Sequence, residues 1–442
     1  MKKFIIIGLL MAATMPLKAQ TTPYLNNVNR HTDFISYSTR PLVESRDTLH
    51  EQYVIRPKEK GISVRDGVKY YDYEVTLPVA MLERELILRT KGGRNAHAVY
   101  ANGRLMGSAR DSRVPSEINI SDALTDGPNT ISVAILEEDN TPEESQPNAR
   151  RDIEQILLLA RPRLMIYDCY VTAAPDSLMK NGKLRLDVIM QSTYNFEEPF
   201  KVGYDVYSPD KKLKDYSVDD FTIAGNATDT ITFETTITDL TSNFWSSERP
   251  SLYPLMLHVK RGSLITEYIQ FKIGFGTTTW DEKGIYRNGK LIDIKPVRYN
   301  ASATEQSTSK EISALKKSGY NTIYVDYPQP SWFYEVCNQL GMYMVDCANI
   351  NTNAKGGDRK VGGTASNNPK YLDEYLNRVQ AMYYRDRMYP CVIAWSLGND
   401  SGNGYNMYKA YQWLKSMGDS RPVVYAAAEG EWNSDLDLPA AK

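Results

Sequence analysis

The spacing of hydrophobic and polar positions changes along the chain. Between about residues 53 and 162, short segments alternate apolar and polar residues and are separated by turn signals: YYDYEVTL, ELILRT, AHAVYANGRLMG with its Asn-Gly turn, and TISVAILEE. Alternation with a period of two buries one face of a strand and leaves the other in water. The pattern predicts an all-β sandwich, which we assign to residues 20–163.

A second β-rich series follows without a helical pattern. Its strands are LRLDVIMQST, FKVGYDVYS, DTITFETTI and LYPLMLHVK, and the series ends near Phe275. This number of strands and their spacing are typical of an immunoglobulin-like β-sandwich. We assign it to residues 164–275.

After Phe275 the period changes, and apolar runs alternate with helical patterns. The predicted strands are LIDIKPV, YNTIYVD, MYMVD, CVIAWSL and PVVYAAA, and the helices between them are STSKEISALKKSG, SWFYEVCNQLG, YLDEYLNRVQAMYYRDR and YNMYKAYQWLKSMG. Strands alternating with helices form βα units with a parallel sheet. Residues 276–442 are therefore predicted to hold about five βα strands of an incomplete TIM-type barrel.

The net charge, the first residues and the cysteines indicate the protein's expected partners and cellular compartment. A formal charge of -2 gives no electrostatic reason to expect a nucleic-acid partner. Lys2 and Lys3 precede a short apolar run, which predicts a signal peptide over 1–19 and an exported protein, periplasmic or secreted, without membrane insertion. Cys337, Cys347 and Cys391 lack metal-ligand spacing and are expected to be buried thiols.

Polar residues follow the predicted parallel strands. In a βα barrel the residues that do chemistry lie at the carboxyl ends of the strands. The alternative is that these side chains cap the helices that follow. The residues concerned are Asp326, Asp346, Asn349, Asn399, Asp400 and Glu429.

Four segments resemble glycoside hydrolase family 2 β-galactosidases. PCVIAWSLGNDSGNGYN is similar to the segment that carries the family's catalytic acid/base. The other three are NGRLMGSARDSRVPSEINIS, FWSSERPSLYPLMLHV and CNQLGMYMVDCANINTN. The resemblance implies a jelly-roll sugar-binding-type domain, an immunoglobulin-like domain and a (β/α)8 barrel.

The resemblance also implies roles for particular residues. Asp400 stands where the family has its acid/base Glu, and Asn399 where an Asn hydrogen-bonds the sugar 2-hydroxyl. Trp395, Asn349 and Asp326 are further expected substrate-binding positions. The family hydrolyses β-glycosides with two carboxylates about 5–5.5 Å apart. Its nucleophile lies on the seventh barrel strand, beyond the five strands predicted here.

Other family features are replaced. The magnesium-binding Glu-Thr-His at the third strand reads Asn351, Thr352 and Asn353, a neutral set that suits a hard dication poorly. The chain's histidines, His31, His50, His97 and His258, all precede the barrel segment. The loop EESQPNARRD lacks the family's Trp. We therefore expect no metal and no cofactor.

Three functions are compatible with these observations. The first is an exported, catalytically degenerate relative that binds a β-linked glycan or a partner. The second is an active or residual retaining β-glycosidase, either with altered machinery, such as Glu429 or Glu431 facing Asp400, or as a truncated piece of a longer active enzyme. The third is a secreted scaffold. A sheet of five parallel strands also exposes two edges, so we expect covering by self-association, by a partner or by internal refolding.

Overall fold

The computed structural model describes residues 28–92, 96–111, 113–136, 153–241, 243–302, 304–352 and 363–441. The predicted signal peptide, the loop EESQPNARRD and Asn353 lie outside these residues. Within the described ranges, no helix is long and apolar enough to cross a membrane. All four cysteines are buried and free, which confirms the prediction of buried thiols.

The first domain packs two antiparallel sheets against each other. Its strands are β1 Val54–Ile55, β2 Lys58–Arg65, β3 Val68–Leu77, β4 Glu85–Gly92, β5 His97–Ala101, β6 Arg104–Ala109, β7 Ser116–Asn119, β8 Gly127–Ile135 and β9 Ile153–Arg161. One sheet has the order β1-β9-β4-β7 and the other β2-β3-β8-β5-β6. Leu86 and Leu88 of one sheet share a core with Ile131 and Val133 of the other. The predicted β-sandwich is confirmed.

The second domain is also a two-sheet sandwich. Its strands are β10 Leu164–Pro175, β11 Gly182–Ser192, β12 Glu198–Tyr207, β13 Leu213–Ile223, β14 Ala227–Ile237, β15 Tyr253–Arg261 and β16 Leu264–Ile273. The sheets have the orders β10-β11-β14 and β13-β12-β15-β16. Strand β11 alternates buried and exposed residues almost perfectly, as its sequence predicts.

A short antiparallel unit leads into a parallel sheet whose helices alternate with its strands. The unit contains β17 Thr278–Asp281, β18 Gly284–Arg287 and β19 Lys290–Leu291. The parallel strands are β20 Pro296–Arg298, β21 Thr322–Tyr324, β22 Tyr343–Cys347, β23 Val392–Ser396 and β24 Val423–Val424, in sequence order. The helices are α1 Arg40–Ser45 near the N-terminus, then α2 Glu305–Lys317, α3 Ser331–Leu340, α4 Leu372–Asp386 and α5 Tyr405–Ser416. The sheet does not close, as expected for an incomplete barrel.

Two predicted strands are shorter than expected. LIDIKPV divides because Leu291 pairs with Tyr286 in the antiparallel unit, so the parallel strand begins only at Pro296. PVVYAAA also divides: Val423–Val424 is a strand, whereas Ala426–Ala428 is a 3-10 turn. The first segment loses residues to an antiparallel pairing with β18, and the second ends early because Ser434 and Asp435 bind its backbone.

The chain covers the edge at β24 with its own following residues. The Val423 amide donates to Asp435 Oδ2 at 2.8 Å, and the Asp435 amide donates to the Val423 carbonyl at 2.8 Å. The Tyr425 amide donates to Ser434 Oγ at 3.0 Å. These bonds satisfy backbone groups that a sixth strand would otherwise pair with. At this edge the expected covering is internal, and self-association stays a prediction.

A short N-terminal segment, residues 28–37, links the three domains through buried charges. His31 Nε2 lies 2.9 Å from Glu117 Oε2 of the jelly roll. The Thr32 amide donates to Asp168 of the second domain, and Arg387, which follows α4, also pairs with Asp168 at 2.6 Å. The segment therefore contacts every domain through groups that are costly to leave unpaired.

We expect Asp435→Ala to lower the free energy of unfolding by about 1–3 kcal/mol, because the Val423 amide loses its acceptor in a buried position. Asp435 also accepts bonds from Tyr411 and Lys415. Asp437→Ala, two residues on at an exposed position, is the matched control and should change stability little. Urea unfolding of both variants is the measurement, and equal stabilities would contradict a role for the edge cap.

The His31–Glu117 pair predicts a pH dependence of stability. Burial lowers the pKa of His31, but Glu117 raises it more, so the folded pKa lies above 6.5. A raised histidine pKa contributes stability that is present below pH 6.5 and is lost as pH rises through the folded pKa. We expect the free energy of unfolding to fall between pH 6 and 9 in the wild type and to fall less in His31→Gln.

The control for this effect is His50→Gln, because the His50 side chain is 78% exposed and its ion pair is with the neighbouring Asp47. Unfolding curves collected across the same pH range should give this variant the wild-type slope. A wild-type slope in His31→Gln would show that the buried histidine is not the titrating group.

Candidate active site

Polar side chains from three parallel strands meet at the carboxyl edge of the sheet. Arg298, the last residue of β20, forms an ion pair with Asp326, which follows β21. Asn399, which follows β23, donates its amide nitrogen to the Asp326 carbonyl at 2.5 Å. Its amide oxygen lies 3.5 Å from Arg298 Nη1. We call Arg298, Asn300, Asp326 and Asn399 the strand-end cluster.

Asn300 joins this cluster through a reciprocal pair of hydrogen bonds. Its amide nitrogen donates to Asp326 Oδ2 at 2.7 Å, and the Asp326 backbone amide donates to Asn300 Oδ1 at 3.0 Å. Gln329 Nε2 adds a third bond to Asn300 Oδ1 at 3.1 Å. The Asp326 carboxylate therefore has both a cation and an amide donor as partners.

Asp400 is exposed at the end of β23, on a loop that is held in place on both sides. The Asn399 amide donates to the Ile350 carbonyl at 2.8 Å, and Ser401 Oγ accepts from the Thr352 amide at 3.0 Å. Gly398 has φ 151°, and a Cβ there would come within 2.9 Å of the Ile350 carbonyl. The backbone thus presents the Asp400 carboxylate to solvent from a tethered position.

Two predicted site residues lie away from this cluster. Trp395 is 1% exposed. The centres of the Trp395 and Tyr383 rings are 5.3 Å apart, and the Arg421 guanidinium lies 4.4 Å from the centre of the Trp395 ring, so Trp395 packs in the helix layer. Asn349 is also 1% exposed and donates to Asp111 of the jelly roll at 3.0 Å. The structure therefore assigns packing contacts to Trp395 and an interdomain contact to Asn349.

The acids after β24 differ from each other. Glu431 accepts from the Tyr408 hydroxyl at 2.6 Å and from Asn403 Nδ2 at 3.2 Å, so it fixes the start of α5. Glu429 is exposed and ends the 3-10 turn in a left-handed conformation with φ 51°. Only Glu429 of these two presents an exposed carboxylate.

Asp346 at the end of β22 is fully buried below the sheet edge. Tyr334 donates its hydroxyl to Asp346 Oδ1 at 2.8 Å, and Arg385 pairs with Asp386 at 2.7 Å. Burial, and then the negative charge of Asp386, raise the pKa of Asp346 well above its usual range. Asp346 is therefore shielded from solvent and lies outside the exposed site.

The sequence interpretation missed three residues near the mouth. Arg298 and Asn300 directly follow the predicted strand LIDIKPV and were not among the expected site residues. The Arg113 guanidinium lies 3.7 Å from the centre of the Tyr327 ring, so the jelly-roll loop reaches the second strand end. The available signals were a cation directly after the predicted strand LIDIKPV and the charged run RDSR in the jelly roll.

The residues at the third strand do not fit the magnesium ion that the family resemblance implies. Asn351 and Thr352 offer neutral oxygens, and the Thr352 amide is bound to Ser401. Magnesium prefers carboxylates or phosphates together with water. In the described part of the chain, no group of three or more His, Cys, Asp or Glu side chains is placed to hold a metal.

Family models identify the same three domains. Residues 48–145 match the glycosyl hydrolases family 2 sugar binding domain, 164–275 match the glycosyl hydrolases family 2 model, and 298–438 match its TIM barrel domain. The fold and these three matches thus define the domain architecture of a glycosyl hydrolase family. The chain belongs to glycoside hydrolase family 2.

The chain is similar to curated β-galactosidases. It is 27% identical to that of Streptococcus thermophilus over 93% of this chain and 40% of the relative, and 28% identical to that of Klebsiella pneumoniae over 76% and 33%. The chain therefore spans well under half the length of these relatives.

Solved structures share the fold at low identity. A Bacteroides uniformis β-glucuronidase 2, covalently bound to cyclophellitol-6-carboxylate aziridine, has a TM-score of 0.69 at 17% identity, covering 81% of this chain and 46% of that one. A β-galactosidase described as putative, from Bacteroides fragilis, has a TM-score of 0.68 at 14% identity, covering 91% and 63%.

The buried acids Asp346 and Asp386 predict losses of stability of different size for the same Asp→Asn change. We expect Asp346→Asn to change the free energy of unfolding at pH 7 by less than about 1.5 kcal/mol, because burial raises the pKa of Asp346 and so favours its uncharged form, which an amide resembles in shape. Asp386→Asn should cost about 3–5 kcal/mol because it leaves Arg385 as an unpaired buried charge. Denaturant unfolding of both variants measures the difference, and equal losses would contradict the assignment of Asp386, rather than Asp346, as the ion-pair partner of Arg385.

Proposed function

We propose that this protein is an exported member of glycoside hydrolase family 2 that binds a β-linked glycan at the strand-end cluster without hydrolysing it. The observation that carries the proposal is the pairing of Asp326 with Arg298 and Asn300. A carboxylate held by a cation and an amide is a fixed hydrogen-bonding surface rather than a free nucleophile.

The acids near the mouth support binding more than hydrolysis. Retaining glycosidases need a nucleophile and an acid/base about 5–5.5 Å apart. Asp326 is paired with Arg298, Glu431 is hydrogen-bonded to Tyr408, and Asp346 is buried. Asp400 also has a side chain one methylene shorter than the family Glu, and a misplacement of about 1 Å can cost on the order of a hundredfold in rate.

The cluster has the chemistry of a sugar-binding surface. Guanidinium and amide groups donate to and accept from hydroxyls in fixed directions. The matched sugar binding domain and the relatives named β-galactosidase and β-glucuronidase support β-galactosides and β-glucuronides as the glycans to test. Export is supported by the two lysines and the apolar run at the start of the sequence.

A second candidate function is residual retaining β-glycosidase activity. It is favoured by the exposure of two acids, Asp400 and Glu429, after the adjacent strands β23 and β24. Neighbouring strands lie about 5 Å apart, which is the separation that retention requires. Activity by this route depends on both carboxylates.

Hydrolysis of 4-nitrophenyl β-galactoside and 4-nitrophenyl β-glucuronide separates the two functions. We expect no turnover above buffer for the wild type and none for Asp400→Glu, because lengthening one acid does not supply its partner. Turnover that disappears in both Asp400→Asn and Glu429→Gln would reject the binding proposal in favour of the enzyme.

Binding is tested by calorimetry with β-linked galactose and glucuronate oligosaccharides. Asn399→Ala should weaken binding about tenfold, because one hydrogen-bonding amide contributes about 1–2 kcal/mol when its partner is left buried and unpaired. Asn195→Ala, at an exposed loop position of the second domain, is the control. Glycan binding that is equal in the two variants would place the site elsewhere.

A further inference from the structure

A cavity of about 320 Å³ lies where the N-terminal segment meets the three domains. Strand β9 contributes Gln155, strand β16 contributes Gln270 and Lys272, and helix α3 contributes Glu335. None of the residues of the strand-end cluster lines it. Its volume lies within the range of small-molecule sites, and interdomain junctions are common places for them.

Basic side chains outnumber acidic ones in the wall of this cavity. It carries four basic and two acidic side chains: Arg46, Arg89, Lys272, Arg385, Asp33 and Glu335. Both acids already have a guanidinium partner, because Asp33 pairs with Arg89 and Glu335 with Arg46.

Lys272 is the basic group with the weakest compensation. Its Nζ lies 3.7 Å from Glu335 Oε2, beyond hydrogen-bond distance, while Arg46 occupies that carboxylate. Burial, and then the positive charge of Arg46, lower the pKa of Lys272. The Lys272 ammonium group is therefore partly removed from water and shares its acidic partner, Glu335, with Arg46, so an added anion would offset its lost hydration.

Strand geometry places an amide beside this ammonium group. Residues two apart on a strand share a face, so Gln270 and Lys272 both project from the outer face of β16, while Ile269 and Phe271 between and beside them are buried. The remaining wall includes the aromatic rings of Phe34 and Tyr389. The cavity thus combines a cation, an amide donor and an apolar surface.

We propose that this cavity binds a small organic carboxylate with an aromatic body. The carboxylate pairs with Lys272 and the Gln270 amide, and the ring packs against Phe34 and Tyr389. Because such a ligand touches the N-terminal segment, the second domain and the third domain, it stabilises their arrangement by binding only the folded state.

The test is calorimetry on the whole chain with 2-naphthoate and its neutral analogue 2-naphthamide. We expect 2-naphthoate to bind at least tenfold more tightly. Lys272→Met keeps the aliphatic stem but removes the charge, and should weaken 2-naphthoate about tenfold while leaving 2-naphthamide unchanged. The control is Lys201→Met, which removes an exposed lysine from the same domain and should match the wild type.

A second variant locates the site independently of charge. Gln270→Trp places a bulky ring in the cavity and should abolish binding of both probes, while thermal unfolding confirms that the variant is folded. Equal affinities of the two probes, no saturable binding of 2-naphthoate, unchanged binding in folded Lys272→Met, or unchanged binding in folded Gln270→Trp would each overturn the proposal.

Discussion

Charges buried between the domains constrain how the domains can be arranged. Glu117 of the jelly roll is held by His31 and Arg89. Burial would raise the pKa of Glu117, but the positive charges of His31 and Arg89 outweigh it and lower the pKa to about 2. Asp168 of the second domain is held by Arg387 from the third. Apolar faces tolerate small shifts, but a separated buried pair costs several kcal/mol. These pairs therefore determine where the jelly-roll loop with Asp111 meets the parallel sheet.

The domain architecture followed from sequence periodicity because burial alternates regularly in these strands. Strand β11 carries its alternation over its whole length, and nothing distant is needed to recognise it. The ends of the parallel strands were not predictable in this way. Val423–Val424 stops early because Asp435 and Ser434 occupy the neighbouring backbone positions, and these contacts come from residues after the strand.

The sequence predicted where the candidate site lies, but only some of the residues that form it. Asp326 and Asn399 meet because carboxyl ends of parallel strands share an edge. Trp395 lies on β23, the strand that Asn399 follows, but its side chain faces the helix layer. The register of a strand decides the side to which each residue turns. The role of Arg298 depends on its pairing with Asp326, 28 residues away, which no local pattern in the sequence reveals.

The N-terminal segment also has a consequence for the timing of assembly. Thr32 and its partner Arg387 are separated by 355 residues, so translation at roughly 5–20 residues per second puts about 20–70 s between their synthesis. During that interval the jelly roll and the second sandwich can form their own cores, while Asp168 still lacks its guanidinium. Residues of the segment that bind the third domain, such as Thr32, thus reach those contacts late, although they are among the first described residues to be synthesised.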